Sequence, residues 1–111
     1  SAYLRQSGIT YYQALTANNL GNVFLEQGRL AEAEAQLRRG AALWRQTDDG
    51  LELANTLGTL GELLLQRGQA PEAGPLLDEA LALLSRYPDD ARGRRLSARF
   101  AAQRQALPPV G

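Results

Sequence analysis

Twelve arginines and twelve carboxylates make up the whole charged inventory of this 111-residue chain, which has no His, Cys, Lys or Met. Without His there is no near-neutral general base of the usual kind. Without Cys and Lys, two common covalent nucleophiles are missing. His and Cys also define most zinc sites. Ser7, Ser85 and Ser97 have no base to activate them, and the pairs Asp48-Asp49 and Asp89-Asp90 lack the surrounding oxygen ligands of a calcium loop. These residue types predict no enzyme, no cofactor and no metal site. One cluster does carry recognition chemistry. Arg92, Arg94, Arg95, Arg99 and Arg104 form a basic patch with no acid between Arg92 and Gly111, whereas residues 1–91 hold seven Arg against twelve acids. Such a patch offers guanidinium groups to phosphate or nucleic acid. Phe100 is the only aromatic beside it, so base stacking is poorly supplied. The alternative is a capping helix whose basic side faces acids of its own chain or of the next protomer.

The chain as a whole sets the limits within which those residues act. The formal net charge is zero, so no global field draws nucleic acid or an anionic membrane. No apolar run approaches the roughly 18 residues of a membrane span, and no signal-peptide pattern is present. The absence of Cys excludes a disulfide framework, which fits a cytoplasmic setting. The length allows one domain or a piece of one.

The strongest signal is internal repetition. Residues 20–44 match residues 60–84 at a constant offset of 40. The pairs are Leu20/Leu60, Gly21/Gly61, Leu25/Leu65, Gly28/Gly68, Glu32/Glu72, Ala33/Ala73, Leu37/Leu77, Ala42/Ala82 and Leu43/Leu83. A fixed period of this size marks a repeat architecture. The same offset sets Leu4-Arg5-Gln6-Ser7 against Trp44-Arg45-Gln46-Thr47. Residues 1–8 are therefore expected to be the tail of a truncated preceding helix, in a piece of a larger bacterial cytoplasmic protein; the alternative is a short N-terminal extension of the first helix.

Apolar spacing predicts the helices. The first spans about residues 9–27, with Ala17, Leu20, Gly21 and Phe24 on one face. Gly21, repeated as Gly61, points to close approach of another helix, and Gly28 and Gly68 read as left-handed helix ends. The second, about residues 31–46, turns Ala33, Leu37, Gly40, Ala41 and Trp44 inward. The third, about residues 49–67, carries Leu53, Leu57, Leu60, Gly61 and Leu64. In the fourth, Pro71 suits a first turn, while Pro75 predicts an uneven start or a bend near Gly74. The fifth, about residues 90–106, is a half repeat with a polar outer side, as befits a terminal cap. The predicted organisation is repeat 1 over 9–47, repeat 2 over 48–87, a capping helix over 88–107 and a tail over 108–111.

Leu20-Gly21-x-x-Phe24, then Gly28, then Glu32-Ala33, then a helix closing on an Ala-Leu pair, resembles the tetratricopeptide repeat. Leu60-Gly61-x-x-Leu64, Gly68, Glu72-Ala73 and Ala80-Leu81 repeat the pattern. The run Asn18-Asn19-Leu20-Gly21 followed by Gln27-Gly28-Arg29 is most similar to the longer-period repeats of kinesin light chains and bacterial regulators. Ala17 and Gly58 replace the bulky aromatic often found early in the first helix of the tetratricopeptide repeat, which is not unusual in the longer form. The resemblance implies an all-α, right-handed α-solenoid of antiparallel hairpins: two repeats plus a terminal half repeat. It implies a protein-interaction module whose concave groove binds a peptide or protein surface. The groove positions it assigns are Leu15, Asn18, Asn22, Leu25 and Glu26 in repeat 1, and Asn55, Gly58, Glu62, Leu65 and Gln66 in repeat 2. Asn side chains there both donate and accept, as reading an extended backbone requires. Leu25 and Leu65 would floor the groove. The exposed N-terminal face, with Leu4, Tyr11 and Tyr12 near it, is expected to support self-association.

Overall fold

Helix ends come first, because they set the repeat. Gly28 and Gly68 have φ of 72° and 75°, a conformation L side chains rarely adopt. Beyond each, the chain folds back in the same way. Arg29 N donates to Phe24 O at 2.9 Å and Gly28 N to Leu25 O at 3.0 Å; Gln69 N donates to Leu64 O at 2.7 Å and Gly68 N to Leu65 O at 3.0 Å. This double bond pattern closes a helix and satisfies its last carbonyls. At the other ends, Asp49 Oδ1 accepts from Glu52 N at 3.0 Å and Asp90 Oδ1 from Gly93 N at 2.7 Å, capping the next helices.

The computed structural model describes residues 2–107, with side chains from Ser7 onward. It contains α1 (Ala2–Glu26), α2 (Leu30–Trp44), α3 (Gly50–Gln66), α4 (Ala70–Leu84) and α5 (Ala91–Gln105). α1 packs on α2 and α3 on α4 as hairpins, α2 packs on α3, and α5 closes the file on α4 and α3. The result is an all-α helical-repeat solenoid, 48 × 34 × 25 Å in extent.

The expected glycine contacts are present. A Cβ on Gly21 would lie 2.8 Å from Leu37 Cδ2, and one on Gly61 would lie 2.9 Å from Leu77 Cγ. Each hairpin closes by a Leu of its second helix filling the notch in its first. The predicted inner face of α2 is the buried one, Ala33, Leu37, Gly40, Ala41 and Trp44. One buried cluster joins Trp44, Leu53, Leu57, Leu77, Leu84, Leu96 and Phe100, and a second gathers Leu37, Leu60, Leu63 and Leu64. Trp44 thus packs into the following repeat, and Tyr11 stands edge-on to it at 4.9 Å.

Three expectations are corrected. Residues 2–8 are the first turns of α1, not the end of a separate helix, because no proline or capping turn interrupts the chain before Ile9. α4 runs unbroken from Ala70 with Pro75 inside it, and the expected uneven start is seen only as a bond from Glu72 N to Gln69 O at 3.2 Å in its first turn. Pro75 is exposed, so its ring and the unpaired carbonyl one turn back can face water. Leu20, expected on the inner face of α1, is 41% exposed, whereas its counterpart Leu60 is 2% exposed. α3 has α1 and α2 to cover that side; α1 has no neighbour there among the described residues. Ile9, Tyr12 and Val23 share this open side. Leu4 lies outside the residues whose side chains are described.

Candidate protein-interaction groove

Three side-chain bonds join α1, α3 and α5, and the two between α3 and α5 fall at the repeat offset of 40. Thr56 Oγ1 donates to Asn18 Oδ1 at 2.8 Å, joining α3 to α1. Arg92 pairs with Glu52, and Arg99 Nη2 reaches Thr59 Oγ1 at 3.5 Å, both 40 residues away in sequence. Between α3 and α5 the repeat therefore places equivalent residues side by side.

Among these helices lies a cleft of about 480 Å³ lined by Tyr11, Leu15, Asn18, Asn19, Asn22, Asp49, Leu51, Glu52, Asn55 and Arg92. Leu15, Asn18, Asn22 and Asn55, assigned to the groove from sequence, meet there. Asn19, Leu51 and Glu52 were not singled out, although the offset of 40 pairs Asn19 with Thr59 and Tyr11 with Leu51. The wall is amide-rich, with Leu15, Leu51 and Tyr11 among its apolar parts, and suits hydrogen bonding with a main chain.

Several assigned residues have other roles. Asn18 is 5% exposed and its carbonyl oxygen is taken by Thr56, so it braces α1 against α3. Gly58 does not face the groove: a Cβ there would lie 2.1 Å from the Phe100 ring, so it is the notch into which α5 inserts. Leu25 and Leu65 are half-buried against the core clusters and do not line the cleft. Glu62 is bound by Arg99 Nε at 2.9 and 3.1 Å. Glu26 and Gln66 are exposed beyond the cleft. Of the edge residues, Tyr12 does lie on the open N-terminal side, where it lines a hollow of about 280 Å³ with Gln13, Thr16, Leu20 and Arg39. Tyr11 turns instead into the cleft. Its desolvation, then the charges of Asp49 and Glu52, push its phenol up, against the opposing pull of Arg92.

The basic patch divides. Arg92 pairs with Glu52, Arg99 with Glu62 and Arg104 with Asp78 at 2.8 Å, while Arg94 donates to the Pro88 carbonyl at 3.3 Å. Hydrogen bonding to Glu62 raises the Arg99 guanidinium, with desolvation opposing. Arg95 is exposed. The run that looks continuous in sequence is thus mostly matched by carboxylates of α3 and α4. Among the described residues no group of three or more His, Cys, Asp or Glu could hold a metal ion, and no helix is long and apolar enough to cross a membrane.

A stack of glycine-notched hairpins with a polar cleft along one face defines a helical-repeat module. The sequence profile of the tetratricopeptide repeat matches residues 12–86, and the chain belongs to that family. Such repeats generally mediate protein–protein interaction and are typically not enzymes. The chain is also similar to a protein described as alpha-2-macroglobulin from Ralstonia nicotianae. The two are 33% identical over 100 residues, a match covering 87% of this chain and 6% of that protein. The chain thus spans about 6% of the length of the curated relative it matches.

Proposed function

We propose that this chain is an interaction segment that holds a peptide or protein surface in its concave groove. It serves a larger scaffold, regulatory or signalling protein in a bacterial cytoplasm. The observation that carries the reading is the cleft itself, where Asn19, Asn22 and Asn55 converge from two repeats beside Tyr11 and Leu15. Asn is a mediocre helix former, and amides on a concave wall present donors and acceptors to an extended chain. The far greater length of the Ralstonia relative supports placement within a larger protein.

Affinity capture from a bacterial lysate, with and without nuclease, tests the reading. The control is a variant with Asn19, Asn22 and Asn55 changed to Ala. Asn18 stays intact because it is structural. A protein partner that survives nuclease and is lost with the variant supports the groove. Partners that vanish with nuclease and ignore the variant would move the function to the arginines of α5.

A further inference from the structure

The strip that α1 leaves open reads the same in both directions. Ile9, Tyr12, Thr16, Leu20 and Val23 are all exposed, and they follow one another at steps of three, four, four and three residues. Such steps keep all five on one side of the helix. In repeat 2 the counterparts of Leu20 and Val23, Leu60 and Leu63, are buried. There residues 45–49 turn the chain between α2 and α3, and α2 packs on α3. The equivalent residues 5–9 lie inside α1, which begins at Ala2. The chain therefore makes no turn there that would lay a helix on α1 as α2 lies on α3. The strip is also uncharged, with no Asp, Glu, Lys, Arg or His from Ser7 to Leu25. A twofold contact sets each group near the axis against its own copy, so it suits neutral residues and penalises charged ones. Head-to-tail stacking suits the strip less well. α5, at the other end of the file, carries five arginines and no acid, and the strip has no carboxylate to meet them.

We infer that two copies of this chain pair through α1, antiparallel, about a twofold axis at Thr16. Ile9 of one copy then faces Val23 of the other, and Tyr12 faces Leu20. The small Thr16 side chains meet at the axis and let the two helices approach closely. Beside Leu20 lies the hollow of about 280 Å³, lined also by Thr16, Ala17, Gln36 and Arg39. The second copy's Tyr12 enters it, with its ring on Leu20 and Ala17 and its hydroxyl toward the donors of Gln36 and Arg39. The hollow and the cleft share no lining residue, so the pair keeps both of its clefts open. One helix face is a small contact, at the weak end of specific interfaces, and the pairing is accordingly concentration-dependent.

The chain has no Cys, so introduced cysteines report the geometry. Thr16→Cys, Ile9→Cys and Val23→Cys chains are oxidised at matched concentration, each alone and the last two mixed. Circular dichroism checks that all fold as the unmodified chain does. A disulfide needs Cα atoms within about 7 Å of each other. Thr16→Cys is expected to form a covalent dimer by itself. Position 9 and position 23 each stand about 21 Å from their own mates along the paired helices. Those two chains should stay uncoupled alone and cross-link when mixed. Adding Leu20→Glu to Thr16→Cys buries a charge in the contact and should slow cross-linking by about tenfold or more. An Ile9→Cys chain that couples efficiently to itself overturns the antiparallel order. Equal rates for every variant, or a Thr16→Cys chain that stays uncoupled or ignores Leu20→Glu, overturn the pairing itself.

Discussion

The Thr56 hydroxyl donates to the Asn18 side-chain carbonyl at 2.8 Å, across 38 residues of sequence and between the two helices that form the floor of the groove. Thr56 is fully buried and Asn18 nearly so. Removing the donor with the near-isosteric Thr56→Val leaves a buried acceptor unsatisfied. That should cost about 1–3 kcal/mol. The double variant Thr56→Val with Asn18→Leu should lose less than the sum of the two single changes. Urea unfolding of the four chains measures the coupling, and simple additivity would show the bond to be energetically idle.

Gly58→Ala should destabilise the chain, although replacing a mid-helix Gly with Ala usually gains up to about 1 kcal/mol. The new Cβ would sit 2.1–2.5 Å from three atoms of the Phe100 ring. Overpacking of this kind costs about 1–3 kcal/mol. Adding Phe100→Leu should recover part of the loss by vacating the ring position. Thermal melts give the order, and hydrogen exchange should show α5 opening first in the single variant.

Arg45 grips Glu79 with two bonds, at 2.6 and 2.8 Å. Hydrogen bonding to Arg45 holds the Glu79 carboxyl below its ordinary value, with desolvation opposing. Its folded pKa is therefore the lower one. The stabilisation is present above the unfolded carboxylate pKa and is lost as pH falls through the folded value. Both side chains are more than a third exposed, so Glu79→Gln should cost only about 0.2–1 kcal/mol at neutral pH. The difference should vanish by about pH 3. Urea midpoints at both pH values decide it; a difference persisting in acid would assign the effect to packing.

Trp44 is fully buried, with its indole N–H unbonded among the described residues and the Tyr11 ring set against it. As the only tryptophan, it should emit at short wavelength. Tyr11→Ala should shift that emission to the red by opening the indole to water. An unchanged spectrum would mean that other side chains seal Trp44.

Ile9, Tyr12, Leu20 and Val23 are 41–70% exposed on one side of α1. Covering them with a second copy predicts concentration-dependent self-association in sedimentation velocity, abolished by Leu20→Glu. A single monomeric species up to millimolar concentration would remove this proposal.

The sequence makes the period legible because the constraint is local. A glycine at a left-handed turn and a glycine notch facing a Leu must recur wherever the hairpin recurs. The groove was only half legible. Asn18 and Asn22 are one turn apart on the same side of α1, yet Thr56 covers the first and the second stays open. Spacing reveals a side; the neighbouring helix decides depth. Leu20 failed for the same reason, since its twin Leu60 has a neighbour and Leu20 does not. The arginines of α5 read as one patch because their acids lie 26 to 40 residues away, where linear charge counting cannot pair them.

On the outer side, Glu34 accepts from Arg38 and from Arg67, each at 2.9 Å, and Arg38 continues to Glu72 at 3.0 Å. This chain of ions binds α2, the end of α3 and α4 across the repeat boundary. On the inner side, Arg92 and Arg99 stitch α3 to α5. Exposed pairs of this kind contribute at most about 1 kcal/mol each, so they supplement the buried seams, Leu37 against Gly21, Leu77 against Gly61 and Phe100 against Gly58, that hold neighbouring helices together. A receptor already holding its bound shape loses little conformational freedom on association, and its affinity should report the match of the incoming chain more than the effort of reshaping the host.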